Sequence, residues 1–125
     1  MDPAAPAFRP PTPRAMALPH ISLDELREKI ARGDRFHLFE VLAPMYFRKH
    51  HLPGARNLPP SEVRERIVEL APDRDDEIVL YCWDADCPTS GWAGLELVEM
   101  GYTNVREYAG GKKAWQAAGL DMVKD

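Results

Sequence analysis

Cys82 and Cys87 are the chain's two thiols, and both fall in one stretch, Ile78-Val79-Leu80-Tyr81-Cys82-Trp83-Asp84-Ala85-Asp86-Cys87-Pro88-Thr89-Ser90. A thiol is a nucleophile only once ionised, and an ion is best held where backbone N–H groups are left over, as at a helix amino terminus. The run Ile78–Tyr81 has the composition of a buried parallel strand, and Pro88-Thr89-Ser90-Gly91 ahead of Trp92–Leu97 reads as a helix start. The thiols therefore sit at the carboxyl end of a strand, where open α/β sheets bind ligands. Nucleophilic or redox chemistry is the reading this placement favours, against two incidental thiols. With four residues between them, the cysteines come within bonding range only if the loop folds back on itself.

The elements that must position this loop follow from the rest of the chain. Residues 1–18, MDPAAPAFRPPTPRAMAL, hold five prolines and many alanines, which leaves little to pack and predicts a flexible, partly polyproline-like tail before a domain over 19–125. Ser22 with Glu25 three residues on forms a capping box, Leu23, Leu26 and Ile30 share a helix face, and Gly33 ends the helix. Phe36–Leu42 is almost wholly apolar and fits a central strand, in which the carboxylate of Glu40 must find a partner or reach a polar site. Pro44 suits the first turn of a short helix, and Pro53-Gly54 a turn before the extended piece Ala55–Leu58. Ser61 is expected to cap a helix with Val63, Ile67 and Leu70 inward. After the cysteine loop, Gly101 caps the next helix, Val105–Tyr108 is a strand, and a last helix runs from Gly110-Gly111 to Gly119. Strand and helix alternate, so the fold class is α/β, a mostly parallel central sheet flanked by helices on both faces.

Composition bounds the partners. Sixteen basic against twenty acidic residues give a net charge of −4, and no basic stripe is present to track a nucleic-acid backbone. No stretch reaches the length of a membrane span, and the amino terminus lacks the apolar segment of a secretory signal. A soluble, cytoplasmic protein is expected. His50 and His51 are adjacent but lack a third ligand at useful spacing, and the cysteines are not spaced as in a structural zinc motif, so neither metal nor cofactor is expected. Trp83 and Trp92 read as packing aromatics of the core or loop.

Three blocks resemble the rhodanese-like domain family. They are Phe39-Glu40-Val41 with His51-Leu52-Pro53-Gly54-Ala55-Arg56-Asn57-Leu58-Pro59, then Ile78–Cys82 with Gly101-Tyr102-Thr103-Asn104-Val105, and last Tyr108-Ala109-Gly110-Gly111-Lys112-Lys113-Ala114-Trp115 through Ala118-Gly119-Leu120. The resemblance runs from Ile21 to Met122 and implies a rhodanese-like fold and a sulfurtransferase. By that resemblance Cys82 is the nucleophile that takes sulfane sulfur from thiosulfate or a persulfide and hands it to cyanide, a thiol or a protein acceptor. Trp83, Asp84, Ala85, Asp86, Cys87, Pro88 and Thr89 form the loop whose N–H groups cradle the sulfur.

Where the family commonly carries a short loop with a basic residue, this loop is longer, has none, and holds Asp84 and Asp86, which oppose a thiolate and repel an anionic donor. Lys112 and Lys113 are the cations that the Gly110-Gly111 turn could bring near. Glu40 and Leu42 replace the aspartate and arginine of the family's strand, so the salt bridge that those two make is not expected. Two alternatives follow: a catalytically weak rhodanese-like module that binds a protein partner, and a thiol redox switch in which Cys87 resolves Cys82.

Overall fold

The computed structural model describes residues 18–124; the expectation for the proline-rich segment concerns residues that otherwise lie outside the described ones. Leu18, assigned to that segment, is buried, and it sits so close over Gly94 that a Cβ there would come within 2.6 Å of its side chain.

Four strands form one sheet in the order β2-β1-β3-β4, where β1 is His37–Glu40, β2 Arg56–Asn57, β3 Ile78–Tyr81 and β4 Val105–Glu107. Every pairing among these four strands is parallel. Register sets Glu40 beside Tyr81 and Asn57 and Leu80 beside Glu107. The helices are α1 (Leu23–Arg32), α2 (Pro44–Lys49), α3 (Val63–Leu70), α4 (Thr89–Glu99) and α5 (Gly111–Ala117). Among the described residues no helix is long and apolar enough to cross a membrane.

Side chains alternate across each strand, and the alternation builds two cores. Phe39, Ile78, Leu80 and Val105 pack with Ile67 of α3 and Ala93 and Leu97 of α4. Leu38, Val79 and Tyr81 pack on the other face with Leu26 of α1 and Trp115 of α5. Both faces of the central strands are thus dry, which is why their sequences read as continuous apolar runs.

Local signals mostly act as their chemistry dictates. Ser22 Oγ accepts the Glu25 N–H at 3.1 Å, and Gly33 closes α1 in the left-handed region at φ 73°. The Glu25 carboxylate, expected to complete the capping box, binds Arg106 instead at 3.1 Å. Ser61 is not the cap of α3: Pro60–Glu62 form a 3-10 turn, and α3 starts at Val63 without a side-chain cap. The prolines ahead of it tighten the entry so that Ser61 is already inside the turn.

Candidate active site

β3 ends at Tyr81, and the alternation of the strand sends Tyr81 and Cys82 to opposite faces of the sheet. The site is built on both.

On the α5 face lies a dry polar network. Glu40 is 0 % and Lys112 1 % exposed, and Lys112 Nζ stands 2.9 Å from Glu40 Oε2. Lys112 also donates to the Tyr46 carbonyl at 3.0 Å. Tyr81 donates its hydroxyl proton to Glu40 Oε1 at 2.8 Å and accepts the Leu52 N–H at 3.1 Å. Burial pushes the Glu40 carboxyl above the usual carboxylate range, against the pull of Lys112 and Tyr81. As expected with Leu42 at the family's arginine position, Glu40 has no cation on its own strand; its partner comes from α5. An unpaired carboxylate at this depth would be costly enough to require one.

The lysines do not reach the thiol as expected. Lys112 is committed to Glu40, and Lys113 is exposed. Their backbones make the contact: Lys112 N–H donates to Cys82 O at 3.1 Å and Lys113 N–H to Trp83 O at 3.0 Å. Gly111, at φ 65°, permits this close approach, since a Cβ would lie 2.6 Å from Cys82 O and 2.8 Å from Trp83 O. The start of α5 is thereby clamped onto the root of the loop.

On the α4 face Cys82 is 2 % exposed. Its Sγ lies 3.3 Å from the Cys87 carbonyl and 3.3 Å from Ser90 Oγ. Ser90 donates its one proton to Glu107 Oε2 at 2.7 Å, and the half-exposed His20 stands 3.5 Å from the other oxygen of that carboxylate. The Cys82 thiol donates its own proton to the Cys87 carbonyl, with Ser90 Oγ beside the sulfur. Burial pushes the Cys82 thiol above the ordinary range, and its bond toward Cys87 adds to that.

The loop folds back through Asp84, whose carbonyl accepts Cys87 N–H at 3.2 Å and whose Oδ1 accepts Asp86 N–H at 3.0 Å. Asp84 is thus a turn former as well as a charge. The fold brings Cys87 to Cys82, and both thiols are free. Desolvation works against the Cys87 thiolate, but hydrogen bonding, that from Cys82 foremost and then from Thr89, outweighs it and holds Cys87 below the ordinary thiol range. Thr89 Oγ1, 3.3 Å from Cys87 Sγ, spends its proton on Val41 O at 3.0 Å. Ala85 and Pro88 are exposed at the rim.

Of the two settings read from the sequence for Trp83 and Trp92, core or loop, the core is excluded, since they are 43 % and 50 % exposed. Trp83 stacks on His50 at 6.3 Å, covers Lys112 Nζ at 5.4 Å, and with Leu42 and Tyr46 lines an open hollow of about 410 Å³. Trp92 borders a smaller hollow of about 160 Å³ with Pro60, Val63 and Glu96. His51 is buried, with Nδ1 2.9 Å from Phe47 O.

Tyr81, Ser90, Glu107 and Gly111 are site residues that the sequence reading did not single out. Strand alternation from Val105 places Glu107 on the α4 face, and that signal was available.

The profile of the rhodanese-like domain matches residues 22–118. The chain belongs to the rhodanese-like domain family. It is 43 % identical over 77 residues to the thiosulfate sulfurtransferase PspE of Escherichia coli, covering 62 % of this chain and 71 % of the relative. To the human thiosulfate:glutathione sulfurtransferase it is 31 % identical over 114 residues, covering 78 % and 92 %. The structure of the human single-domain sulfurtransferase TSTD1 superposes with a TM-score of 0.71 at 31 % identity, covering 79 % of this chain and 96 % of that one. Rhodanese-type sulfur transfer is the general activity of this rhodanese-like chain.

Proposed function

We propose that Cys82 is the sulfur-carrying nucleophile: its thiolate attacks the outer sulfur of thiosulfate or of another persulfide, and the donor's S–S bond breaks to release sulfite or a thiolate. The outer sulfur of the resulting Cys82 persulfide then passes to cyanide, a small thiol or a protein thiol. The observation that carries this reading is the position of Cys82, at the end of β3, turned toward the first turn of α4, inside the segment matched by the family profile. The hydroxyls of Ser90 and Thr89, in the first turn of α4, stand 3.3 Å from the sulfurs of Cys82 and Cys87. Free N–H groups at a helix start steady a sulfur anion in a site with little water.

The loop favours some donors over others. Asp84 and Asp86 stand where a dianion would approach, and Lys112 is spent on Glu40. A donor or acceptor of low charge whose organic part rests in the Leu42, Tyr46 and Trp83 hollow suits this mouth better than thiosulfate does. Two unbridged cysteines suit the reducing cytoplasm, where we place the protein.

Intact-mass measurement after exposure to thiosulfate or to cysteine persulfide tests the proposal. The reduced Cys87→Ser chain is expected to gain the mass of one sulfur atom, and the Cys82→Ser chain none. Equal uptake in both would sink it.

A further inference from the structure

We propose that Cys87 is a resolving nucleophile for the sulfur held on Cys82, which gives the loop a second outlet: release of sulfide with closure of a Cys82–Cys87 disulfide. The inference rests on Cys82 as the sulfur carrier.

Three features of the loop lead to it. The turn held by Asp84 carries residue 87 back over residue 82, so that Cys82 Sγ touches the Cys87 carbonyl at 3.3 Å. Cys87 Sγ lies 3.3 Å from Thr89 Oγ1 and Cys82 Sγ lies 3.3 Å from Ser90 Oγ, so both thiols face the first turn of α4. The hydroxyls of Ser90 and Thr89 commit their protons to Glu107 and to Val41 O, and the Cys82 thiol donates its own to the Cys87 carbonyl. Of the pair, Cys87 is the less buried, and hydrogen bonding holds its thiol below the ordinary range. An attacking thiolate thus stands beside a sulfur that becomes electrophilic once Cys82 is persulfidated.

The step balances without an external oxidant. The Cys87 thiolate attacks Cys82 Sγ, the inner sulfur of the persulfide. A Cys82–Cys87 S–S bond forms as the bond from Cys82 Sγ to the outer sulfur breaks. The outer sulfur leaves with that electron pair as hydrosulfide, keeping the persulfide proton. The sulfane sulfur is reduced by two electrons, and the two cysteine sulfurs are oxidised by two. A dithiol reductant returns the disulfide to two thiols and completes a cycle whose sum is sulfane sulfur plus dithiol giving hydrosulfide plus disulfide.

The experiment compares fully reduced wild type, Cys87→Ser, Cys87→Ala and Cys82→Ser, each given one equivalent of cysteine persulfide and then freed of small molecules. Intact mass and released sulfide are followed at low protein concentration, with thermal melts to confirm that all four are folded. Cys87→Ser and Cys87→Ala are expected to keep one added sulfur atom. Wild type is expected to lose that mass at least tenfold faster, to end two hydrogens lighter than the reduced chain, and to release one hydrosulfide per chain. A wild-type persulfide that lasts as long as that of Cys87→Ser overturns the inference while leaving sulfur carriage intact. Absence of added sulfur in both Cys87 variants overturns carriage on Cys82 and resolution together.

Discussion

Tyr81 and Cys82 are neighbours in the chain but belong to two different kinds of site. Tyr81 points into a closed network in which the Glu40 carboxylate, the Lys112 ammonium and the Tyr81 hydroxyl are buried and matched to one another. Cys82 points under a loop whose tip is exposed and whose shape depends on a turn at Asp84. The first side fixes where the thiol is, because α5 grips the backbone of residues 82 and 83 from the network's own lysine and its neighbours. The second side decides what the thiol does. Substitutions on the α5 face should therefore cost stability, whereas those in the loop should change rates and leave stability near wild type.

The sharpest way to break this division is Lys112→Met. Removing the cation strands a fully buried carboxylate and takes one of two donors from the Tyr46 carbonyl. The expected loss is about 4 kcal/mol, read from denaturant unfolding. Pairing it with Glu40→Leu should restore most of that loss, since an apolar replacement leaves no buried charge. The pH dependence has a definite sign. Glu40 has a folded pKa above its ordinary value of 4.5, so between those two values the folded chain binds more protons than the unfolded one, and stability falls as pH rises through that window. Lys112→Met should widen the window and steepen the fall, and an unchanged pH profile would contradict the assignment of Lys112 as the partner.

Gly111→Ala comes next. The left-handed backbone costs a side chain roughly 1–2 kcal/mol, and the new Cβ meets the carbonyls of Cys82 and Trp83. The total expected is on the order of 3 kcal/mol. This variant also tests whether the clamp positions the thiol: the rate of Cys82 alkylation should change along with stability. Tyr81→Phe should be milder, about 2 kcal/mol, because it removes a hydrogen bond to a charged group and leaves the Leu52 N–H unpaired.

How far the sequence discloses this arrangement differs between the two sides. Period and capping disclose the central elements, because β1 and β3 are apolar runs buried on both faces and α1 carries its own stop at Gly33. The position of Cys82 is legible for the same reason. The partner of Glu40 is not, since the pair joins β1 to α5 across most of the chain and Lys112 and Lys113 are chemically identical. Only helix phase separates them: Lys112 lies three residues before the buried Trp115 and shares its face, whereas Lys113 is turned to solvent. Burial of a lysine this deep runs against its ordinary preference, so the pattern is visible only when Glu40 is first recognised as a carboxylate in need of a cation. For the tryptophans the sequence leaves core and loop packing both open. Their size predicts burial, but Trp83 is used as a half-open wall over Lys112 and His50.

The smallest expected effect is the one that separates charge from shape in the loop. Asp84→Asn with Asp86→Asn removes two negative charges while keeping the side-chain oxygen that accepts the Asp86 N–H. Stability should stay within about 0.5 kcal/mol of wild type. The rate of sulfur uptake from thiosulfate should rise about threefold to tenfold at low ionic strength, because two repulsions against a dianion are lifted. Added salt should speed the wild type more than the double variant, and uptake from an uncharged persulfide donor should change little in either. If thiosulfate uptake is unchanged at low salt, the acids act through the turn and not through the field at the mouth. The division between a positioning face and a reactive face would then have to place Asp84 with the first.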